Sequence, residues 1–313
     1  MNKILLMGIS TYSALTLAAE PIQALSAVKV TEPIKVELGN KLFHEKKLSP
    51  DNTISCASCH DLAKGGTDRL PVSIGIRGQK GPINSPTVYN SRYNIKQFWD
   101  GRAKDLIEQA AGPVTNPKEM GSNWLYVIKT LKNSPKYVAL FNKAYAGQIN
   151  KQTITDAIAS FEETLVTPSR FDDYLMGDKK ALTAQEIKGY QTFKSIGCTR
   201  CHNGINVGGN MFMKMGLVKD YFKNRNIPIT EADLGRYNVT KQKYDKHVFK
   251  VPSLRNIELT APYFHDGQTK SLSVAVKTMA EFQLGRDLNS IEVRDIVAFL
   301  KSLTGKELRA VKN

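Results

Sequence analysis

Two short stretches pair cysteines with a histidine: ISCASCHDL at 54–62 and IGCTRCHNG at 196–204. Together they use all four cysteines of the chain, Cys56, Cys59, Cys198 and Cys201. A thioredoxin-like redox pair needs no following histidine, and a zinc site needs further Cys or His at matching spacing. Cys-x-x-Cys-His is the attachment signature of a c-type haem. Its cysteines form two thioethers to the porphyrin, and the next residue turns under the ring to coordinate iron. The reading is therefore two covalent haem c groups, with His60 and His202 as proximal ligands.

The elements that must hold these anchors also occur twice. Gly39 and Phe43 precede the first anchor at the same mutual spacing as Gly189 and Phe193 before the second. Amphipathic patterns at 153–166 and 291–305 predict a closing helix for each half, the second with Ile296, Phe299, Leu300 and Leu303 on one face and Gly305 as its stop. The expected fold is mainly α, with two cytochrome c-like domains, each carrying one haem. We place the first at 28–178 and the second at 179–313, the last helix being free to pack back on the first unit. Residues 1–20 carry Lys3, a short apolar run and small residues at Ala18 and Ala19, the layout of a secretory signal. Export to the periplasm follows. No later stretch is apolar for the roughly 20 residues that a bilayer span needs.

Composition bounds the partners. With 41% hydrophobic and 23% charged residues in 313, this is a globular chain, and its net charge is +15. The lysines are scattered instead of forming a stripe, so no nucleic acid is expected. An acidic protein partner or a membrane surface suits the charge better, unless it is simply solvated.

The sixth ligand decides what each iron does. For the second haem the candidates are Met211, Met213, Met215 and Met279; the first three sit in MFMKMG, read as a surface loop, and Met279 just before the closing helix is preferred. Between His60 and His202 there is no histidine, so the first iron has an open face. His44 and His247 read as surface residues. Near that face the segment 81–123 carries Trp99, Arg102, Gln109 and Glu119. Peroxide cleavage needs a group that moves a proton from one oxygen to the other. Glu119 could do this, with Gln109 orienting the bound molecule.

The blocks GPINSPTVYN, QFWDGRA, EQAAGPV, KVPSLRNI and TAPYFHDG resemble the bacterial dihaem cytochrome c peroxidases, relatives of the methylamine-utilisation dihaem oxygenase. The resemblance implies reduction of hydrogen peroxide at the first haem, with electrons entering at the second from a small c-type cytochrome or copper protein. It implies Glu119 as acid–base group with Gln109 beside it, Trp99 as electron relay between the haems, and Met279 as ligand. It also implies a calcium ion held by Asn84, Thr260 and Pro262, a structural or propionate-contacting His265, and a homodimer. Many members of the family cap the first iron with a histidine where this chain has Ile76. Isoleucine cannot bind iron, so the oxidised first haem is expected to be five-coordinate or water-bound unless another loop side chain or His44 takes the place. The competing readings are a dihaem electron carrier without catalysis, and an oxygenase-like enzyme that acts on a partner protein and has tyrosine where Met279 stands here.

Overall fold

The computed structural model describes residues 20–225 and 227–310; of the expected leader only Glu20 lies among them. Roughly half of the described residues are helical, and strands are few. Helices α1 (Pro33–Phe43) and α2 (Cys56–Cys59) come first, then α3 (Leu106–Thr115), α4 (Trp124–Lys132), α5 (Pro135–Tyr145) and α6 (Lys151–Glu162). Helices α7 (Arg170–Leu175) and α8 (Ala184–Ser195) lead to the second anchor. Beyond it lie strand β1 (Phe212–Lys214), helices α9 (Tyr221–Asn224) and α10 (Tyr237–Thr240), strand β2 (Val248–Lys250), and helices α11 (Leu272–Leu284), α12 (Ser290–Ser302) and α13 (Lys306–Ala310). The two strands pair antiparallel, with Phe212 opposite Lys250.

Buried apolar side chains gather into two main cores. One holds Leu38, Leu42 and Phe43 of α1 against Ile154, Ile158 and Phe161 of α6, with Val127 and Phe141 from α4 and α5. The other holds Tyr190 and Phe193 of α8 against Val293, Ile296, Phe299 and Leu300 of α12. Ile22 and Phe171 also pack in this second core. The chain thus contributes a segment preceding α1, as well as α7, to the core around the second anchor.

The glycine–phenylalanine repeat is the device by which both cores are built. A Cβ placed on Gly39 would lie 1.9 Å from the carbonyl oxygen of Ala157, and one on Gly189 would lie 1.9 Å from that of Asp295. Only glycine lets α1 touch α6, and α8 touch α12, backbone to backbone. Four residues on, the phenylalanines seal each crossing: Phe43 meets Phe161 edge-on at 5.3 Å, and Phe193 meets Phe299 at 5.1 Å.

Helix ends follow local chemistry. Asn150 and Thr153 form a capping box at the start of α6, as Asn289 and Glu292 do for α12. The apolar pattern predicts α6 running to 166, but the helix ends at Glu162. Thr164, Val166 and Thr167 are β-branched and lead into Pro168, which favours extended backbone before it. After α12, Gly305 bridges to Ser169, and the Lys306 N–H donates to the Pro168 carbonyl at 3.0 Å. The chain end therefore returns to the connection between the two cores. No helix among the described residues is long and apolar enough to cross a membrane.

Candidate haem and peroxide site

Each anchor is a single turn that puts its two thiols three residues apart on one side. At the first, Ser55 and Ser58 cap α2 reciprocally, and the His60 N–H donates to the Cys56 carbonyl at 2.9 Å. At the second, the His202 N–H donates to the Cys198 carbonyl at 3.0 Å. Both imidazoles have Nδ1 near a main-chain oxygen: Gly66 at 3.3 Å for His60, Val207 at 3.4 Å for His202. That contact fixes the tautomer and leaves Nε2 as the free ligand nitrogen. Burial lowers both pKa values, that of His202 to about 4, so the rings are neutral as ligation requires.

The four thiols are unpaired. Burial pushes Cys59 up to about 11 and Cys198 up to about 12. Thiolates are what a zinc site needs, and these sites disfavour them. Among the described residues no cluster of three or more His, Cys, Asp or Glu could hold a metal ion. Thioether attachment of a porphyrin, which needs only the sulfur, fits the arrangement.

Beside the second anchor lies a cavity lined by Cys198, Cys201, His202, Phe193 and Leu300. Helix α11 turns Leu272, Val276, Met279 and Gln283 into it, one helical stripe. Met213 and Met215 line it too. The expected surface loop in fact contains strand β1, which pairs antiparallel with the distant β2; Met213 lies within it and Met215 directly follows, its N–H donating to the His247 carbonyl at 2.8 Å. Met279 is the one that sits on a helix, held by the element packed against α12.

The first site gathers around Glu119, which follows α3. Its Oε1 accepts a hydrogen bond from Asn116 Nδ2 at 2.7 Å. Burial raises its pKa above the usual carboxylate range, while Arg102 and Asn116 pull it back. Its charge acts on both Cys56 and Cys59, which places it beside the first anchor. Gln109 stands half-buried on α3, with no hydrogen bond to Glu119. The Ile76 loop is bound to the same segment: the Ile76 N–H donates to the Glu119 carbonyl at 2.7 Å. Gly75 there has no room for a side chain: an added Cβ would lie 2.0 Å from Lys118 O. Ile76 itself is buried.

Trp99 and Asn84 line the second cavity together, the indole N–H donating to the Asn84 carbonyl at 2.9 Å. Asn84 Nδ2 donates to Leu70 O at 2.8 Å, which leaves its Oδ1 free to accept or ligate. Thr260 and Pro262 line the same cavity. His265 is buried there, bonded through Nε2 to Asp233 at 2.7 Å and stacked on Phe249 at 4.4 Å. The other histidines are used locally. His44 Nδ1 lies 2.9 Å from Asn40 O, and His247 stacks on Phe222 at 4.1 Å. Sequence reasoning passed over Asn116, whose only local signal is the turn in which its Oδ1 accepts the Lys118 N–H at 3.0 Å.

Comparison with known proteins agrees with this geometry. The family described as di-haem cytochrome c peroxidase matches residues 33–180. The chain is 51% identical over 304 residues to a cytochrome c551 peroxidase of Nitrosomonas europaea, covering 96% of this chain and 89% of that one. It is 50% identical over 277 residues to a cytochrome c551 peroxidase of Pseudomonas aeruginosa, covering 87% and 79%. Among solved structures, a MauG-like protein associated with microbial copper homeostasis superposes with a TM-score of 0.80 at 27% identity, over 96% of this chain and 97% of that one. With these identities and coverages following on the duplicated anchors, the chain belongs to the dihaem cytochrome c peroxidase family.

Proposed function

We infer that this chain is a dihaem cytochrome c peroxidase that reduces hydrogen peroxide to two waters, consuming two protons and two electrons. The observation that carries the reading is Glu119, a half-buried carboxylate beside the first anchor, held by Asn116. Haem c bound at the two motifs supplies the redox chemistry, with iron held by His60 at the first and by His202 and Met279 at the second.

The protein's own groups do the rest. Glu119 takes the proton from the oxygen that binds and returns it to the oxygen that leaves. Burial raises its pKa and so makes it a readier proton carrier than an exposed carboxylate. Gln109 orients the peroxide. Trp99, on the wall of the second cavity and 6.4 Å from both Phe249 and His265, relays electrons between the two centres. A calcium ion is held by Asn84 Oδ1 and the main-chain oxygens of Thr260 and Pro262, an all-oxygen set that suits a hard cation. Ile76 leaves the first centre without a protein cap, so it is ready in the oxidised state. The two centres occupy two cytochrome c-like domains, the enzyme works in the periplasm as a homodimer, and its donor is a small, acidic cytochrome or copper protein.

The deciding assay mixes the dihaem protein with peroxide and a reduced small cytochrome. Peroxide-dependent oxidation of the donor is expected. An electron carrier would show none, and an oxygenase would consume peroxide only with its protein partner. Paramagnetic resonance of the fully ferric protein is expected to show a high-spin signal; purely low-spin spectra would refute the uncapped first centre.

A further inference from the structure

Lys250 closes strand β2 with its side chain turned inward, 7% exposed. Its N–H donates to the carbonyl of Trp99 at 2.8 Å, and the residue lines the cavity beside the second anchor. The other deeply buried cations of the described residues are matched. Arg255 pairs with Asp172 at 2.8 Å, Arg225 with Asp233 and Asp266, and His265 with Asp233. Lys250 has neither an ion pair nor a side-chain hydrogen bond among the described residues. The cavity wall itself carries no Asp, Glu or Arg. Burial acts on the ammonium unopposed and lowers its pKa to about 8. An unpaired buried charge is costly, so this one awaits an anion brought into the cavity.

Resting on the reading that the cavity holds the second haem, we propose that Lys250 is the counter-ion of a propionate carboxylate of that haem and raises its reduction potential. A porphyrin carries two such carboxylates at one edge, and it is the group for which this cavity is built. A cation at that edge offsets the propionate's negative charge, which otherwise stabilises the ferric state. Net charge and hydrogen bonding are the levers by which a protein sets a haem potential. Lys250 is in this sense a positioning and tuning residue, not a catalytic one. Through its main-chain bond to Trp99 it also ties the charged edge of the second centre to the relay.

The test is a potentiometric titration of Lys250→Met, Lys250→Gln and Lys250→Arg beside the wild type. Met and Gln are expected to shift the ferric–ferrous equilibrium of the second haem toward ferric at least tenfold, 59 mV for one electron. Arg should keep it within threefold, and the near-infrared band of methionine ligation should survive in all three. An unchanged second-haem equilibrium in both Met and Gln variants overturns the proposal. So does an Arg variant that shifts as far as Met, because a packing fault would then be the cause. Haem counts of the wild type separate the two levels of the argument. Fewer than two haems per chain would sink the reading of the cavity, whereas two haems with no shift would sink only the role of Lys250.

Discussion

Glu119→Gln keeps the size and an acceptor oxygen of the side chain but removes its ability to carry a proton. General acid–base catalysis contributes about 10²–10⁴-fold, so kcat/KM for peroxide should fall by that factor. Asn116 allows the carboxylate's contribution to be dissected. Its amide donates to Glu119 Oε1 at 2.7 Å, and a hydrogen bond to a charged group is worth about 1.5–3 kcal/mol. At about 1.36 kcal/mol per decade, Asn116→Ala should cost roughly ten- to 150-fold if that energy holds the carboxylate in place. In a Glu119→Gln background the same change should cost less than about threefold, because the charge it served is gone. The assay is steady-state peroxide reduction with a reduced cytochrome, with thermal melts to confirm that each variant is folded. The pH profile adds a sign. The ionised carboxylate accepts the first proton, so activity is lost as pH falls through the Glu119 pKa. Asn116 and Arg102 lower that pKa against the burial that raises it. Removing Asn116 must therefore move the acid limb of kcat/KM to higher pH, and Glu119→Gln must abolish the limb. Strictly additive losses, or an acid limb that moves to lower pH, would refute the assignment.

Three further outcomes are expected. Glu162 is buried in the first core with Oε2 unpartnered, and burial pushes its pKa from 4.5 up to about 8. The folded state then binds the proton more tightly than the unfolded one, so the stabilisation is full below pH 4.5 and gone above about 8. Glu162→Gln should flatten this dependence and leave the variant the more stable of the two at alkaline pH; parallel melting curves across pH would count against it. Gly39→Ala and Gly189→Ala each drive a Cβ to within 1.9 Å of a facing carbonyl oxygen, an overpacking cost of about 1–3 kcal/mol that calorimetry should read as a loss of roughly 2–12 °C. A melting temperature unchanged in either would contradict the tight crossings. Ile76→His puts a ligand on the loop bonded to Glu119; it is expected to convert the high-spin ferric signal to low-spin and to make activity depend on prior reduction. A spectrum unchanged by the substitution would mean that the loop does not reach the iron.

How much of this was legible in the sequence depends on whether a function is encoded locally. Cys56, Cys59 and His60 lie within one turn, as do Cys198, Cys201 and His202, and the motif carries its own geometry. The Gly39–Phe43 and Gly189–Phe193 repeats were readable as repeats, but their purpose was not. That purpose is contact with Ala157 and Asp295, more than a hundred residues away in each case. The MFMKMG segment misled because β1 is three residues long and gains its order only by pairing with β2. Lys250 shows the same limit from the other side. In sequence it is one lysine among many in a basic chain, and its burial appears only when β2 is laid against β1 and Trp99.

The two halves share one scaffold and differ in what they place over the anchor. In the second, α11 lies against α12 and turns Met279 toward the cavity of His202. In the first, the residues around Glu119 and the Ile76 loop take up the space beside the anchor instead, joined by a main-chain hydrogen bond. A helix offers a fixed thioether at a fixed depth, which suits a centre that only exchanges electrons. A pair of loops can offer a carboxylate without a thioether beside it, which would suit a centre that must admit a small substrate. Division of labour between duplicated haem sites then needs no change in either helix crossing. It needs only that a helix turn its side chains toward one anchor while loop residues lie beside the other.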